Sequence, residues 1–543
     1  MSRFFNNAGP NVPEDHYTLD PFGRIDWPEI QQLVCNKRYF VLHAPRQSGK
    51  TTLLMAIVNR LNAEGNYAAL YVNVETAQVV RDDFKDANGV IASQLVDMAK
   101  IFLPQSWLAC EGADFASVCN PTIAIRQLLS EWAKNSERPI VLMIDEIDSL
   151  VGDTLISMLR QLRDGYALRP RSFPQSVILC GVRDVRDYRI RSSQGEIISG
   201  GSCFNVKAQS LRIGNFSQDD VRALYGQYTV ETGQKFDESV FPRVMTVTGG
   251  QPWLVNALAL EITTKIPELK DRSLSIGVQH VDEAKERLIL RKDTHLDQLA
   301  DKLTEERVHR VIGPLVAGEA WSAAFQPDDV QYLVDLGLVV RRGADGLQVA
   351  NEIYREVIPR ELTETIELRF ESKVRRSAFL LPDGRLDFRK MLAEFQQFYR
   401  ENADALGHQG QYKEAMPQLL LQAWLQRVIN GGGFIVRDYA LGTLRVDIFV
   451  RHFYQEQGKR AEQRFVVETK MVRVKRSLET TIAEGLKQTA RYADKCDPEQ
   501  AHLVVIDPRE LDWDDKVFVQ EHKVVASSGK SGHRERTITV WCM

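Results

Sequence analysis

No run of about 18 apolar residues occurs anywhere in the 543-residue chain, so a membrane-spanning helix is not expected. Cysteine is scarce. The seven present are scattered and include no C-x-x-C pair, which argues against a disulfide scaffold or a thiolate zinc site and for reduced thiols in the cytoplasm. The opening M-S-R-F-F-N-N-A-G-P has the pattern of neither a signal nor a transit peptide. Extreme charge is missing too, since the net value is −4. That small number hides an asymmetry. Residues 366–543 hold 29 Lys and Arg against 25 Asp and Glu, leaving 40 against 48 for the remainder. A mildly basic C-terminal third permits a nucleic-acid partner without demanding one. With 44% hydrophobic and 26% charged residues, the chain is ordinary globular material, too long for a single core.

What is present begins with Tyr39 to Thr52, Y-F-V-L-H-A-P-R-Q-S-G-K-T-T. Tyr39 to His43 reads as a short apolar strand, Ala44 to Gly49 as a loop, and Lys50 as the start of a helix. Leu53, Leu54, Ile57, Val58 and Leu61 then recur at helical spacing up to Gly65. Strand, small-residue loop and helix N-terminus are the parts that phosphate binding needs, because backbone N–H groups must point inward at the anion. The loop Ala44, Pro45, Arg46, Gln47, Ser48, Gly49, Lys50, Thr51 and Thr52 is thus expected to cradle ATP. Lys50 would reach the outer phosphates, and the Thr51 hydroxyl would ligate Mg²⁺. Ala44 stands where the first glycine is usual.

Ile140 to Asp148, I-V-L-M-I-D-E-I-D, reads as a central parallel strand with Asp145 and Glu146 at its C-terminal end, where α/β sheets place their chemistry. Asp145 would hold the Mg²⁺, and Glu146 would polarise the attacking water. Ser176 to Gly181 is another buried strand. Arg183 after it either senses the γ-phosphate or is a surface residue, and Arg186, Arg189 and Arg191 are further candidates for a finger acting in a neighbouring subunit. Of the Pro- and Asn-rich lead Asn6 to Pro28, Tyr17 or Arg24 either approaches the base or simply packs, with packing the expectation. Ser217 with Asp220 is a capping-box variant, and Thr248 to Trp253, T-G-G-Q-P-W, marks a tight turn into a helix.

The phosphate loop, the I-D-E-I-D box and T-G-G-Q-P-W together resemble the AAA-like and STAND-related ATPases over roughly residues 1–362. The resemblance implies a P-loop parallel sheet with a helical lid and a winged helix, and a nucleotide-dependent switch that often oligomerises. The winged-helix segment has Asp328, Asp329 and Asp335 and no Lys or Arg between residues 328 and 336. DNA binding draws on cations, so this module is expected to be a lever.

Farther on, Gln411 to Ile429 reads as a helix. Phe434 to Tyr439, Leu444 to Val450 and Arg464 to Met471 read as strands. Glu468 and Lys470 share a strand face, and antiparallel pairing sets Asp447 across from Glu468. Two carboxylates that close repel unless a cation lies between them, and oxygen ligation suits Mg²⁺ or Mn²⁺. The alternative is a pair of solvent-facing acids on an amphipathic hairpin. Gln488 and Tyr492 lie four apart on the following helix, and Ala501 to Ile506 is a buried strand. Thr537 to Trp541 is expected as an edge strand. This order is similar to the PD-(D/E)XK nuclease superfamily over about residues 405–510. The resemblance implies that Glu414 lies near the metal and that Gln488 and Tyr492 form an accessory motif. Val446 precedes Asp447 where the superfamily name has proline. Arg445, Arg473, Lys475, Arg476, Lys487 and Arg491 fall beside the site and would hold a DNA backbone.

The expected organisation is an N-terminal arm (1–30), ATPase core (31–215), helical lid (216–290), winged helix (291–362), linker and helix (363–403) and an α/β nuclease-like domain (404–543). The function expected is an ATPase that regulates a DNA-cleaving nuclease in bacterial defence, assembled as a homo-oligomer and triggered by a partner protein. The competing readings are a nucleotide switch carrying an inactive nuclease-like domain, and a translocating motor.

Overall fold

The computed structural model describes residues 3–191, 196–291, 302–303, 305–316, 325–342, 346–358, 376–407, 420–421, 424–425, 428–429, 433–441, 444–456, 459–472, 477–507, 509, 512–525 and 535–543. It divides into two compact units. One comprises 1–297, 327–341 and 350–353, and the other 298–326, 342–349 and 354–543. Segment 291–362, expected as one winged helix, contributes to both.

The first unit is built on strands β1 (Tyr39–His43), β2 (Ala68–Asn73), β3 (Ile140–Asp145), β4 (Ser176–Gly181), the short β5 (Arg189–Arg191) and β6 (Ile197–Ser199), and β7 (Lys207–Arg212). Five of these form one parallel sheet in the order β2-β3-β4-β1-β7. All five central residues Ile140 to Ile144 are buried, as expected of a strand with helices on both faces. One face carries Tyr39, Val41, Leu70, Leu142 and Leu179 against helices that include Phe84–Phe102 and Ala124–Lys134. The other carries Phe40, Leu42, Val141 and Ile178 against Leu53, Leu54, Ile57 and Val58 of the helix Lys50–Glu64. That helix ends at Gly65 in a left-handed C-cap, φ 76, a conformation glycine adopts without cost. The expected capping box at Ser217 and Asp220 is formed. Strand β7 is not legible in the sequence, because its half-buried K-A-Q-S-L-R lacks an apolar run. In the same unit, Asp328 and Asp329 begin the helix Pro327–Asp335.

Two short strands follow, β8 (Val339–Arg342) and β9 (Gly346–Val349). The second unit then contains β10 (Gly433–Leu441), β11 (Leu444–Glu456), β12 (Lys459–Met471), β13 (Gln500–Ile506), β14 (Phe518–Val525) and β15 (Glu535–Cys542), in the sheet order β10-β11-β12-β13-β15-β14. One face packs Ile448, Val450, Phe465, Val467 and Val504 against Phe388, Leu392 and Phe395 of the helix Phe388–Gly407 and against Leu420, Leu421, Trp424 and Leu425. The other packs Leu503, Val505, Ile538 and Val540 against Ala490 and Ala493 of the helix Leu478–Cys496. Strands β11 and β12 run longer than their apolar stretches. Their polar ends pair through residues such as Arg451 and Glu462, joined at 2.6 Å. The expected edge strand at Thr537 to Trp541 is interior instead. It pairs parallel with β13 and antiparallel with β14, because its last five residues are buried on both faces. Among the described residues no helix is long and apolar enough to cross a membrane.

Candidate functional site

The loop after β1 turns on two left-handed residues, Gln47 (φ 54) and Gly49 (φ 79). Ala44 is not among the positive-φ residues, so its Cβ is free of strain and the missing glycine costs nothing. Its N–H donates to the Gly181 carbonyl at the end of β4 (3.2 Å). The Ser48 hydroxyl donates to the Pro45 carbonyl at 2.6 Å. The Lys50 ammonium is buried and donates to the carbonyls of Ala44 and Pro45, each at 3.2 Å. It therefore closes the loop on itself through two neutral acceptors, which are weaker partners for an ammonium than an anionic oxygen.

Parallel pairing of β3 with β2 and β4 sets Asp145 beside this loop. The Asp145 carboxylate accepts from the Thr51 hydroxyl at 2.7 Å and from the Tyr71 hydroxyl at 3.1 Å. A hydroxyl and a carboxylate converging at the start of a phosphate-binding helix are the hard oxygen donors that Mg²⁺ takes. Burial, and then the Asp145 charge, push the Tyr71 phenol well above its ordinary range. Glu146 leaves β3 in a left-handed conformation, φ 55 and ψ 40, which is costly for a residue with a Cβ and is found where a site needs it. Burial raises its carboxyl pKa and Lys50 opposes the rise, while Asp148 and Asp145 add to it.

A cavity of about 270 Å³ opens between these parts, lined by Gln47, Gly49, Lys50, Thr51, Thr52 and Glu146. Its remaining walls were only partly legible in the sequence. Asn6 to Asn11 and Thr18 to Pro21 of the N-terminal arm form one side, and Phe216, Pro252, Trp253 and Asn256 another. The arm is tied in place by Asn11 N–H donating to Thr52 Oγ1 (3.2 Å) and by the Trp253 indole donating to the Asn7 carbonyl (2.6 Å). Of the two arm residues singled out above, Tyr17 packs against Phe5 and Tyr228, whereas Arg24 lines the cavity. The Arg24 guanidinium donates to the carbonyls of Ser48 (2.6 Å) and Gly214 (2.8 Å), and burial lowers its pKa to about 10. The signal for this wall was compositional, an Asn-, Pro- and Gly-rich lead, and composition does not say where a lead docks.

Thr248 to Trp253 reaches the loop as well. Gln251 donates to the carbonyls of Arg46 and Gln47, each at 3.4 Å, and its side chain caps the helix Pro252–Lys265 through Leu254 N–H. Arg183 goes elsewhere. It does not line the cavity. Its Nε lies 3.7 Å from Asp335 and its guanidinium 4.6 Å from the Tyr332 ring, both on the helix Pro327–Asp335. The sensing position proposed from sequence is thus directed away from the nucleotide cavity, drawn by a buried carboxylate and an aromatic face. Ala44, Pro45, Arg46 and Ser48 shape the loop without facing the cavity.

In the second unit, Glu468 and Lys470 lie two apart on β12 and form an ion pair at 2.5 Å. Glu468 is completely buried and Lys470 partly exposed. Phe465 and Val467 belong to the opposite face, so alternation along the strand turns Glu468 and Lys470 toward the helix Leu478–Cys496. There the Gln488 amide donates to the Tyr492 hydroxyl at 2.6 Å. The register Ile448↔Val467 leaves Asp447 and Glu468 as the next residue along each antiparallel strand. The Asp447 side chain, Glu414, Arg473, Lys475 and Arg476 lie outside the described residues. Lys487 and Arg491 are exposed, one helical turn apart. Among the described residues no three His, Cys, Asp or Glu side chains converge as a metal site.

With this geometry in view, comparison with known proteins gives one family and a set of distant structures. Residues 35–188 match the model of the AAA domain family. Among solved structures, the chain is similar to a Walker-type ATPase of Pyrococcus abyssi (14% identity, TM-score 0.43, 65% of this chain and 99% of that one). It is also similar to the ORC2 protein of Aeropyrum pernix (14%, 0.36, 63% and 94%) and to the RuvB Holliday junction branch migration motor of Thermotoga maritima (14%, 0.32, 60% and 92%). No curated protein sequence matches. The first unit of this chain carries an AAA-type P-loop ATPase domain.

Proposed function

We propose that this protein is an ATP-hydrolysing regulator whose nucleotide state controls a metal-dependent DNA nuclease in its C-terminal domain. The observation that carries the ATPase half is the cavity itself. Lys50, Thr51 and Glu146 face one space of about 270 Å³, with Asp145 hydrogen-bonded to Thr51 behind it. In this reading Lys50 holds the outer phosphates, and Thr51 and Asp145 hold Mg²⁺. Glu146 orients and deprotonates the attacking water. The arm and Trp253 enclose the base and ribose, with Arg24 adding a cation beside the loop.

The nuclease half is supported by the Glu468–Lys470 pair, the antiparallel register that runs to Ile448↔Val467, one residue short of Asp447 and Glu468, and the Gln488–Tyr492 pair on the helix covering that face. Asp447, Glu468 and, by resemblance, Glu414 would hold Mg²⁺ or Mn²⁺, which lowers the pKa of a bound water and offsets charge on a scissile phosphate. Lys470 would position that water and Gln488 would orient its neighbours. Lys487 and Arg491 would contact the DNA backbone without reading sequence. The lid (216–290) and winged helix (291–362) would transmit the nucleotide state, homo-oligomers would form, and a partner protein would supply the trigger in defence against phage or mobile DNA. Val446, in the place of the expected proline, favours the second reading, a nucleotide switch whose nuclease-like domain only binds DNA or a partner. Purified protein separates the two. Mg²⁺-dependent cleavage that Glu468→Ala abolishes supports the first, and cleavage unaffected by that substitution refutes it.

A further inference from the structure

The I-D-E-I-D box contains a third acid, Asp148, to which the reading above assigns nothing. It lies on the single 3-10 turn Ile147–Ser149 that follows Glu146. Its Oδ1 accepts the backbone N–H of Val182 at 3.1 Å. That contact is made at the very end of β4, and Gly181 leaves room for it. A Cβ on Gly181 would lie 2.5 Å from Asp148 Oδ1 and 3.1 Å from Ile147 Cγ2. The Gly181 carbonyl in turn accepts the N–H of Ala44, the first residue of the phosphate loop. Glu146 is held from the other side by its own N–H, which donates to Asp145 Oδ1 at 3.0 Å, and the Glu146 carbonyl accepts from Ser149 N–H at 2.9 Å. One short path therefore runs from the Glu146 turn through Asp148 to the β4 end and on to the phosphate loop.

We infer that Asp148 is a positioning residue for ATP hydrolysis, fixing the Glu146 turn against the strand that anchors the phosphate loop. The inference rests on the ATPase reading. Glu146 sits in a left-handed conformation that its neighbours must hold, and the next residues, Ile147 to Ser149, are only one 3-10 turn. Without the Asp148 acceptor, the turn is free to shift relative to the phosphates by a fraction of an ångström to an ångström. Such displacements of a catalytic group slow chemistry while leaving ground-state binding intact.

The test uses the full-length chain, with steady-state ATP hydrolysis in Mg²⁺, binding of a fluorescent ATP analogue and thermal melting run in parallel. Asp148→Ala is expected to lower kcat by about 100-fold, with analogue affinity and KM changed by no more than about twofold. Asp148→Asn keeps an oxygen at Oδ1 and is expected to restore kcat to within about threefold of native. Gly181→Ala, which drives a methyl group against Asp148 Oδ1, should reproduce the kcat loss with Asp148 itself unreplaced. Native turnover in Asp148→Ala or Gly181→Ala overturns the inference, as does an Asp148→Asn variant no better than alanine. A parallel loss of nucleotide affinity in the alanine variant also overturns it, because the role would then be general folding. Native protein that binds the analogue but never hydrolyses ATP sinks the ATPase reading and this inference together. Active native protein with an active Asp148→Ala sinks the inference alone.

Discussion

Replacing Gly250 with alanine should damage both the stability of the first unit and its grip on nucleotide. Gly250 has φ 70, and a Cβ built there meets the Phe216 carbonyl oxygen at 2.1 Å and Met245 Cε at 3.2 Å. The left-handed conformation alone costs an L-residue about 1–2 kcal/mol. The contact with Phe216 is to backbone, so it cannot be relieved by a rotamer change. Moving apart breaks the hydrogen bond from Phe216 N–H to the Gly250 carbonyl, now 2.8 Å, at about 1 kcal/mol. The sum is about 2–3 kcal/mol, which for a unit that includes all of residues 1–297 lowers its melting temperature by about 3–5 °C. Gln251 follows directly and holds the Arg46 and Gln47 carbonyls, so nucleotide affinity should fall as well. The control is Gly226→Ala. Gly226 is inside the helix Gln218–Thr232 with nothing within 4 Å of its Cβ position, and alanine there should stabilise by about 0.5–1 kcal/mol. Differential scanning calorimetry of native protein and both variants, with and without ATP, reads the outcome. A Gly250→Ala variant that melts with native protein and binds ATP normally would refute the argument.

Because burial raises the Glu146 carboxyl pKa and a general base must be deprotonated, the acid limb of the kcat–pH profile should lie above the 4.5 of an exposed glutamate. Glu146→Gln should bind ATP but lose that limb along with most turnover. Burial alone would raise the Glu352 pKa, but Lys285 and Arg243, both hydrogen-bonded to its carboxylate, outweigh burial and hold it at about 2. The folded value lies below the unfolded 4.5, so its stabilisation is complete above about pH 4.5 and fades as pH falls toward 2. Denaturant titrations between pH 6 and 3 should therefore show a steeper loss for native protein than for Glu352→Gln. In the second unit, Phe465 stacks on Phe388 with ring centroids 4.3 Å apart, and Phe465→Ala should cost about 3–5 kcal/mol, seen as a lower second calorimetric transition if the two units melt separately.

The parts of the site that the sequence displayed are those whose chemistry is local. The phosphate loop, its strand and its helix occupy consecutive residues, and Asp145 and Glu146 follow an unbroken apolar strand, so pattern and geometry coincide there. The cavity walls at Asn6 to Asn11 and at Asn256 are contributed from both sides of the loop in sequence, and their residues carry no periodicity that marks a partner. Arg183 shows the opposite failure. Its place after β4 suits a phosphate sensor, but the carboxylate of Asp335, some 150 residues later, and the Tyr332 ring draw it away. Such pairing is a tertiary fact that spacing cannot reveal. In the second unit, the period-two pattern of β12 was enough to set Glu468 and Lys470 on one face. The interior place of β15 was not legible, because a short apolar strand near the end of the chain reads alike whether its outer neighbour, here β14, precedes it by ten residues or is missing.

Nucleotide bound near Lys50 is expected to govern phosphodiester cleavage near Glu468. That coupling is tested most directly by incubating purified full-length protein with plasmid and linear DNA in Mg²⁺, with ATP, with a non-hydrolysable analogue, or with no nucleotide. Lys50→Ala and Glu468→Ala run alongside. The expected result is metal-dependent cleavage whose rate changes with nucleotide, loses that dependence in Lys50→Ala and disappears in Glu468→Ala. Cleavage at one rate under every nucleotide condition, or cleavage that survives Glu468→Ala, would contradict it.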